Sequence, residues 1–351
     1  MISIFEHPWL GRFFGDIEIS ALWSAEAQLN HYRAFEKALA LALEAFGKVE
    51  PGQGHAAARA IESITIDIGD LAKASVIDGL PIPNFVNQLR TAAGDSGNAV
   101  HTGATSQDVL DTALVLTLRD ASKIISERLE ILDARLDELR YIHGSKRLMG
   151  RTRMQTALPI TVETRIESWH SPVRNHRRSF QELRHRVERL QFGGPVGNRD
   201  ELGEYAQEIV DYIAKQLSLT AAPTWHSDRT GLAEYANWLS AATGSLGKLG
   251  KDVMLMAQQE INEIDLEVGG RSSAMPHKSN PVMAELLVTL AGFNATQLSG
   301  IHQALVHEQE RSGASWMLEW MILPPMVMAT ARALSTSITL LSQIKSIGTG
   351  V

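Results

Sequence analysis

Cysteine is absent from this chain of 351 residues. Disulfides, thiolate zinc sites, cysteine-held iron–sulfur clusters and thiol nucleophiles are excluded together, and a reducing compartment fits. A basic surplus is also missing. Lys and Arg number 33 against 40 Asp and Glu, for a formal net charge of −7, which argues against a nucleic-acid partner. An anionic substrate stays open, because a local cluster of Arg and Lys can oppose the global sign. Met1–Leu10 holds Glu6 and Pro8 and no basic-then-apolar run, so no signal peptide is expected. No stretch reaches the roughly 18 uncharged apolar residues of a membrane span. Trp320–Thr330 comes closest, and Pro324-Pro325 is read as breaking it. The expectation is a cytoplasmic protein with no membrane partner. Repeats and low-complexity segments are lacking, and alternating Val/Ile/Thr segments nearly so; Ser63–Ile68 is the only strand candidate.

What is present is helical periodicity. Apolar residues make up 44% of the chain and charged residues 21%, enough for a full core and too little charge for an extended disordered protein. Between Asp111 and Arg140, Leu114, Leu118, Ala121, Ile125, Leu129, Leu132, Leu136 and Leu139 follow at steps of three or four. A helix of that span is roughly 45 Å long, which points to an extended bundle. Comparable patterns occupy 157–191, 229–266, 281–311 and 315–344. Shorter helices are expected at 23–46, 54–63, 67–79 and 83–92, punctuated by Pro51-Gly52, Gly79, Pro81 and Pro83. The chain therefore reads as all-α. A small N-terminal helical domain over 1–95 precedes a long-helix bundle domain over 96–351, with a boundary at Asp95-Ser96-Gly97-Asn98.

Three polar segments stand at the entrances of long helices. Gly269–Pro281 is too rich in Gly, Ser and Pro for helix; a flexible loop with hydroxyls, an ammonium and an amide suits capture of a small anion and closure over it. A plain connector with Asn280 capping the next helix explains it as well. Gly94–Asp108 offers hydroxyls and free N–H groups at a helix N-terminus, a ready carboxylate site, or else ordinary capping by Thr105 or Ser106. Gly150–Pro159 is either a third anion-suited segment or a solvated basic turn.

Taken together, these segments carry a resemblance. Residues 270–281 resemble the signature Gly-Ser-Ser-x-Met-Pro-x-Lys-x-Asn-Pro of the fumarase/aspartase superfamily at every defined position but one. Arg271 intrudes where the glycine adjoins the first serine, and Gly270 stands one place earlier. His101–Thr112 and Gly150–Pro159 fall where the other two family motifs belong, so the likeness covers nearly the whole chain in order.

The resemblance implies a homotetramer with a central multi-helix core and active sites that each draw the three motifs from three chains. It implies no cofactor and no metal. Ser272 aligns with the family's catalytic serine, and Lys278 with its lysine. His101 is a further acid/base candidate or a structural histidine. Substrate-binding positions would be Ser106, Gln107, Thr152, Gln155, Ser273, Met275 and Asn280. Further along, a tryptophan pair brackets Glu319 in 308–320, as in the family's muconate cycloisomerase branch. Arg311 is a candidate to face the substrate, and a helix break with Trp320 in the core is the plainer explanation. His307, Glu308 and Glu310 do not share one helix face, which argues against a metal.

One departure bears on the reaction. Fumarases and the argininosuccinate and adenylosuccinate lyases carry Gly-Arg-Thr-His in the second motif, where this chain has Arg153. An arginine stays protonated and cannot serve as a general acid, but it can hold a carboxylate. A carboxylate leaving group needs no proton donor near neutrality, whereas an amine or hydroxide does. The resemblance is therefore closest to the branch that cyclises 3-carboxy-cis,cis-muconate to a lactone in aromatic breakdown, with a sulfo-substituted muconate as a related substrate. A fumarate-releasing lyase and a catalytically silent helical scaffold remain the rivals. Many relatives carry a further C-terminal helical domain; the chain stops at Gly350-Val351, so that domain is expected to be missing or truncated.

Overall fold

The computed structural model describes residues 3–275 and 278–348. Pro276 and His277 of the signature segment and the final Gly350-Val351 lie outside them.

Short helices come first: α1 (Gly11–Phe14), α2 (Ile17–Leu22), α3 (Ala25–Ala45), α4 (Gln53–Ser63), α5 (Ile68–Asp78) and α6 (Ile82–Ala93). Their punctuation follows local chemistry. Ser24 and Asp67 accept N–H groups at the starts of α3 and α5, and Gly79 ends α5 in the left-handed region. Ser63–Ile68, the strand candidate, pairs with no strand among the described residues and spans the end of α4 and the cap of α5.

The long helices follow. Ser106–His143 forms α7, whose 38 residues extend about 57 Å at the usual helical rise. Its leucine stripe is buried from Leu118 to Leu139, with Leu114 half-buried. Thr105 is its N-cap, and Asp108 three residues on returns a bond to the Thr105 N–H at 3.0 Å. After α7, Arg147–Thr152 (β1) and Gln155–Thr161 (β2) pair as an antiparallel hairpin. This corrects the helix expected from 157: residues 157–161 are strand, and α8 spans Val162–Val187 behind a Thr161 cap. The segment 206–217, for which no helix was expected, is α9 (Ala206–Leu217).

The expected 229–266 helix is Thr230–Met256 (α10), and past its end the positive φ of Glu260 and Asn262 keeps the chain from resuming helix. Ile264–Leu266 (β3), Gly270–Arg271 (β4) and Ser279–Asn280 (β5) follow, then α11 (Val282–Gln303), α12 (Ala314–Ser342) and Ile344–Ile347 (β6). Pro281, not Asn280, is the cap of α11. α11 ends at Gln303 with Ala304 as its C-cap, so the helix expected to 311 is shorter by about two turns. Pro324-Pro325 does not break α12. The two prolines each withhold an N–H, but Ile322, Leu323, Met326 and Val327 around them are buried, and packing holds the helix. Among the described residues no helix is long and apolar enough to cross a membrane.

Helices thus carry the fold, and among the described residues three two-stranded ladders tie their ends. α10 lies against α11, α8 and α12, and α7 against α8 and α12. Phe180 stacks on Trp238 between α8 and α10, with centroids 4.0 Å apart. β3 pairs with β6, and β4 with β5, so the Gly269–Pro281 segment is a loop whose base is laced at both sides.

Candidate active site

The N-terminal end of α7 gathers a dense set of buried polar groups. His101, at φ 61°, is fixed to α3 twice: its N–H and its Nδ1 lie 2.9 and 2.6 Å from the two oxygens of the fully buried Glu36. Burial alone would lower the imidazole's pKa; Glu36 overrides this and holds it above the ordinary histidine value. Asp108 is buried and accepts N–H groups from Gly193 and Gly194 at 2.8 and 2.9 Å, with His226 Nε2 at 2.8 Å.

Asp111 faces Arg229 at 2.6 and 3.0 Å and accepts from Trp316 Nε1 at 3.0 Å. Arg229 reaches on to Glu319 at 2.9 and 2.6 Å. Gln107 donates to Asp111 and to the His226 carbonyl, and accepts from Arg311 Nε at 2.9 Å. Every polar atom of the Gln107 amide is therefore engaged within the chain, while half-buried Ser106 opens the helix behind the Thr105 cap. Trp316, not Trp320, is in the core: Trp316 is buried and Trp320 half-buried, with no helix break between them.

Sequence reasoning misses Asp108, Asp111, His226 and Arg229, and with them Gln191, whose amide donates to Asp111 at 3.3 Å. Asp108 was within reach, since it stands three positions past the Thr105 cap. Arg229 meets its partners across 118 and 90 positions, and no local pattern announces that.

At the other end of α7 the hairpin turns on Arg153 and Met154, with φ of 48° and 68°. Two successive left-handed residues make a tight hairpin turn that normally favours Asn-Gly; such backbone strain collects at functional sites. Arg153 is exposed and makes no hydrogen bond or ion pair among the described residues, whereas Arg151 is held by Glu263 at 2.5 Å. Thr152 and Gln155 face each other across the turn, both exposed.

The loop lies near this same end, because Glu263 leads directly into β3. A side chain at Gly269 would meet Ser279 Oγ at 1.9 Å, so only glycine lets the two arms approach. Half-buried Ser272 Oγ accepts the N–H groups of Ala274 and Met275 at 3.3 and 3.1 Å. A hydroxyl so held loses a proton more readily, since the same donors meet the alkoxide. Ser273, Met275 and Lys278 are exposed, and Asn280 is half-buried in β5.

The twelve residues thus fall into two groups. His101, Ser106, Gln107 and Arg311 stand at one end of α7, and the hairpin and loop residues at the other, about 55 Å away along the helix. One chain does not bring them together. Among the described residues no group of three or more His, Asp or Glu is arranged to hold a metal ion.

A family model described as "Lyase" matches residues 14–295. The chain is 35% identical over 335 residues to the 3-carboxy-cis,cis-muconate cycloisomerase of Acinetobacter baylyi, covering 92% of this chain and 74% of that protein. It is 32% identical over 320 residues to an N-acetyl-S-(2-succino)cysteine lyase of Enterococcus italicus, covering 89% and 70%. Among solved structures it is similar to the 3-carboxy-cis,cis-muconate lactonizing enzyme of Pseudomonas putida, with a TM-score of 0.90 at 33% identity, over 97% of this chain and 77% of that one.

Proposed function

Given that this chain belongs to the lyase family, within the fumarase/aspartase superfamily, we propose that it is an intramolecular lyase that closes 3-carboxy-cis,cis-muconate, or a close tri-anionic relative, to a lactone. The observation that carries this reading is Arg153, a guanidinium without a partner among the described residues, at the tip of a strained turn where the related lyases carry histidine.

In the forward direction a substrate carboxylate oxygen bonds to one alkene carbon. The displaced electron pair passes to the neighbouring carbon as an enolate, and a proton is then placed there. Ser272 supplies that proton, its alkoxide being met by the Ala274 and Met275 N–H groups. Lys278 and Arg153 balance the enolate and carboxylate charge. In reverse, the departing carboxylate is a stable anion and needs no acid. His101 is oriented by Glu36 and serves as the acid/base reserve of the first motif.

We infer that the working unit is a homotetramer. The separation of the two residue groups along α7 supports it, since only another copy brings a first-motif end to a loop and hairpin.

Cleavage of a succinylated thiol is the second reading. A thiolate also leaves without full protonation near neutral pH, and the similarity to the Enterococcus italicus enzyme favours it over release of an amine.

The test is loss of diene absorbance when the purified protein meets 3-carboxy-cis,cis-muconate, with adenylosuccinate and N-acetyl-S-(2-succino)cysteine as comparison substrates. Fast loss that disappears in Ser272→Ala supports cyclisation. Fumarate release from the thioether instead moves the assignment to the second reading, and silence on all three leaves the scaffold.

A further inference from the structure

A cavity of about 460 Å³ opens beside the hairpin, between β1, α8 and the end of α10. Four cations line it, Arg151, Arg153, Arg165 and Lys248, against two anions, Asp252 and Glu263. The anions are spoken for. Glu263 holds Arg151 at 2.5 Å. Asp252 holds Lys248 at 2.5 Å and takes the Trp169 indole N–H at 2.7 Å. Two guanidinium groups are left over. Arg153 comes from the hairpin tip, and Arg165 from the first turns of α8, where it is half-buried. Neither guanidinium has a hydrogen-bond or ion-pair partner among the described residues; the Arg165 carbonyl, within α8, accepts from Ser168 Oγ at 2.7 Å.

Two uncompensated planar forks on one cavity form an anion receptor. A guanidinium binds carboxylate or sulfonate through paired N–H donors, and the half-burial of Arg165 strengthens its bonds by thinning the water around them. The volume is in the range of small-ligand sites, ample for one arm of a short polycarboxylate.

We propose that Arg165 is a substrate-specificity residue: with Arg153 it clamps the third anionic group of the substrate, carboxylate or sulfonate, in the cavity beneath the hairpin. The proposal deepens the reading above and rests on it in assigning the hairpin to the substrate site. The substrate's other two carboxylates go to the first-motif helix entrance and the loop, so a dianion leaves the clamp empty. Arg165 thereby selects tri-anions from dianions without touching the reacting carbons.

Calorimetric titration of the intact protein tests this with tricarballylate, sulfosuccinate and succinate as probes. Arg165→Gln is expected to weaken a tri-anion by about 10- to 100-fold, the worth of a charge-assisted pair, and to leave succinate nearly unchanged. Arg165→Lys, which keeps the charge and loses the fork, falls between and serves if Arg165→Gln does not fold; matched melting curves check that. A loss confined to sulfosuccinate, or to tricarballylate, supports the clamp and identifies its anion. Equal losses for tri-anion and succinate, no loss for either tri-anion, or a native protein that binds neither overturns it. Turnover of 3-carboxy-cis,cis-muconate is followed in the same preparations. Arg165-dependent binding without cyclisation keeps the clamp and removes the reaction; cyclisation that ignores Arg165→Gln keeps the reaction and removes the clamp.

Discussion

Asp111 and Arg229 meet as a bidentate pair, with each side chain 1% exposed. Burial by itself would raise the Asp111 carboxyl, but the guanidinium holds it below the ordinary carboxylate range, and burial's opposite pull on Arg229 is likewise overridden upward. Glu319 on the far side of Arg229 makes the cluster one cation between two carboxylates. Arg229→Met leaves two buried anions facing each other, and a loss of about 3–5 kcal/mol is expected. Urea denaturation read by circular dichroism measures it, and an unmoved midpoint would show that the cluster does not hold the fold. The pH sense follows from the lowered pKa. Asp111 contributes stability above the unfolded carboxylate value of about 3.9, and the contribution is lost as pH falls through the lower folded value.

His101 shows the opposite sense. Its folded pKa is raised, with Glu36 and Asp108 outweighing both burial and Arg90. The stabilisation is complete below the unfolded value of about 6.5 and is lost as pH rises through the folded one. NMR titration of the His101 ring should give a midpoint above 6.5 in the native protein. In Glu36→Gln burial loses its main opponent, and the midpoint should drop. A native midpoint at or below 6.5 would contradict the assigned ion pair.

α10 and α11 approach through glycine. A methyl at Gly250 would meet the Ala284 carbonyl oxygen at 2.6 Å and Leu287 Cβ at 2.8 Å. Alanine's better helix propensity, about 1 kcal/mol, favours Gly250→Ala, but backbone on α11 must move to admit it. Overpacking of this kind costs about 1–3 kcal/mol, so the balance is expected to be destabilising. A melting temperature equal to or above the native one would mean that the helices can part without loss.

Legibility in the sequence tracked the range of the interactions. The stripe from Leu118 to Leu139 is written at steps of three and four, and it specified α7 because burial of one face needs that spacing. The hairpin was hidden. Thr152, Gln155 and most of β2 are exposed, so no apolar alternation marks it, and its turn uses Arg153-Met154 in place of glycine. Pro324-Pro325 misled for a related reason: local propensity was overruled by tertiary burial around α12. Ser272, Lys278 and Arg153 stand out as candidates because their motifs are contiguous in the chain. The Asp111–Arg229–Glu319 cluster could not, since it is assembled only when α7, the approach to α10 and α12 come together.

The distance between the two residue groups leads to a test of assembly. Ser272 stands on the loop and Arg311 beside the start of α7, so one chain holds them near opposite ends of a helix of 38 residues. If each site is shared, Ser272→Ala and Arg311→Met damage different contributions to the same site. Each variant alone is expected to be nearly inactive. Unfolded together and refolded, they form mixed tetramers in which some sites receive an intact loop from one parent and an intact first motif from the other. Activity should therefore return on mixing, and light scattering should give the mass of four chains. A site built within one chain predicts otherwise: every chain in the mixture carries one lesion, and no arrangement restores activity. Mixing without recovery, together with a monomeric mass, would overturn the shared site and require a single chain to fold its two ends toward each other, which a continuous α7 of this length forbids.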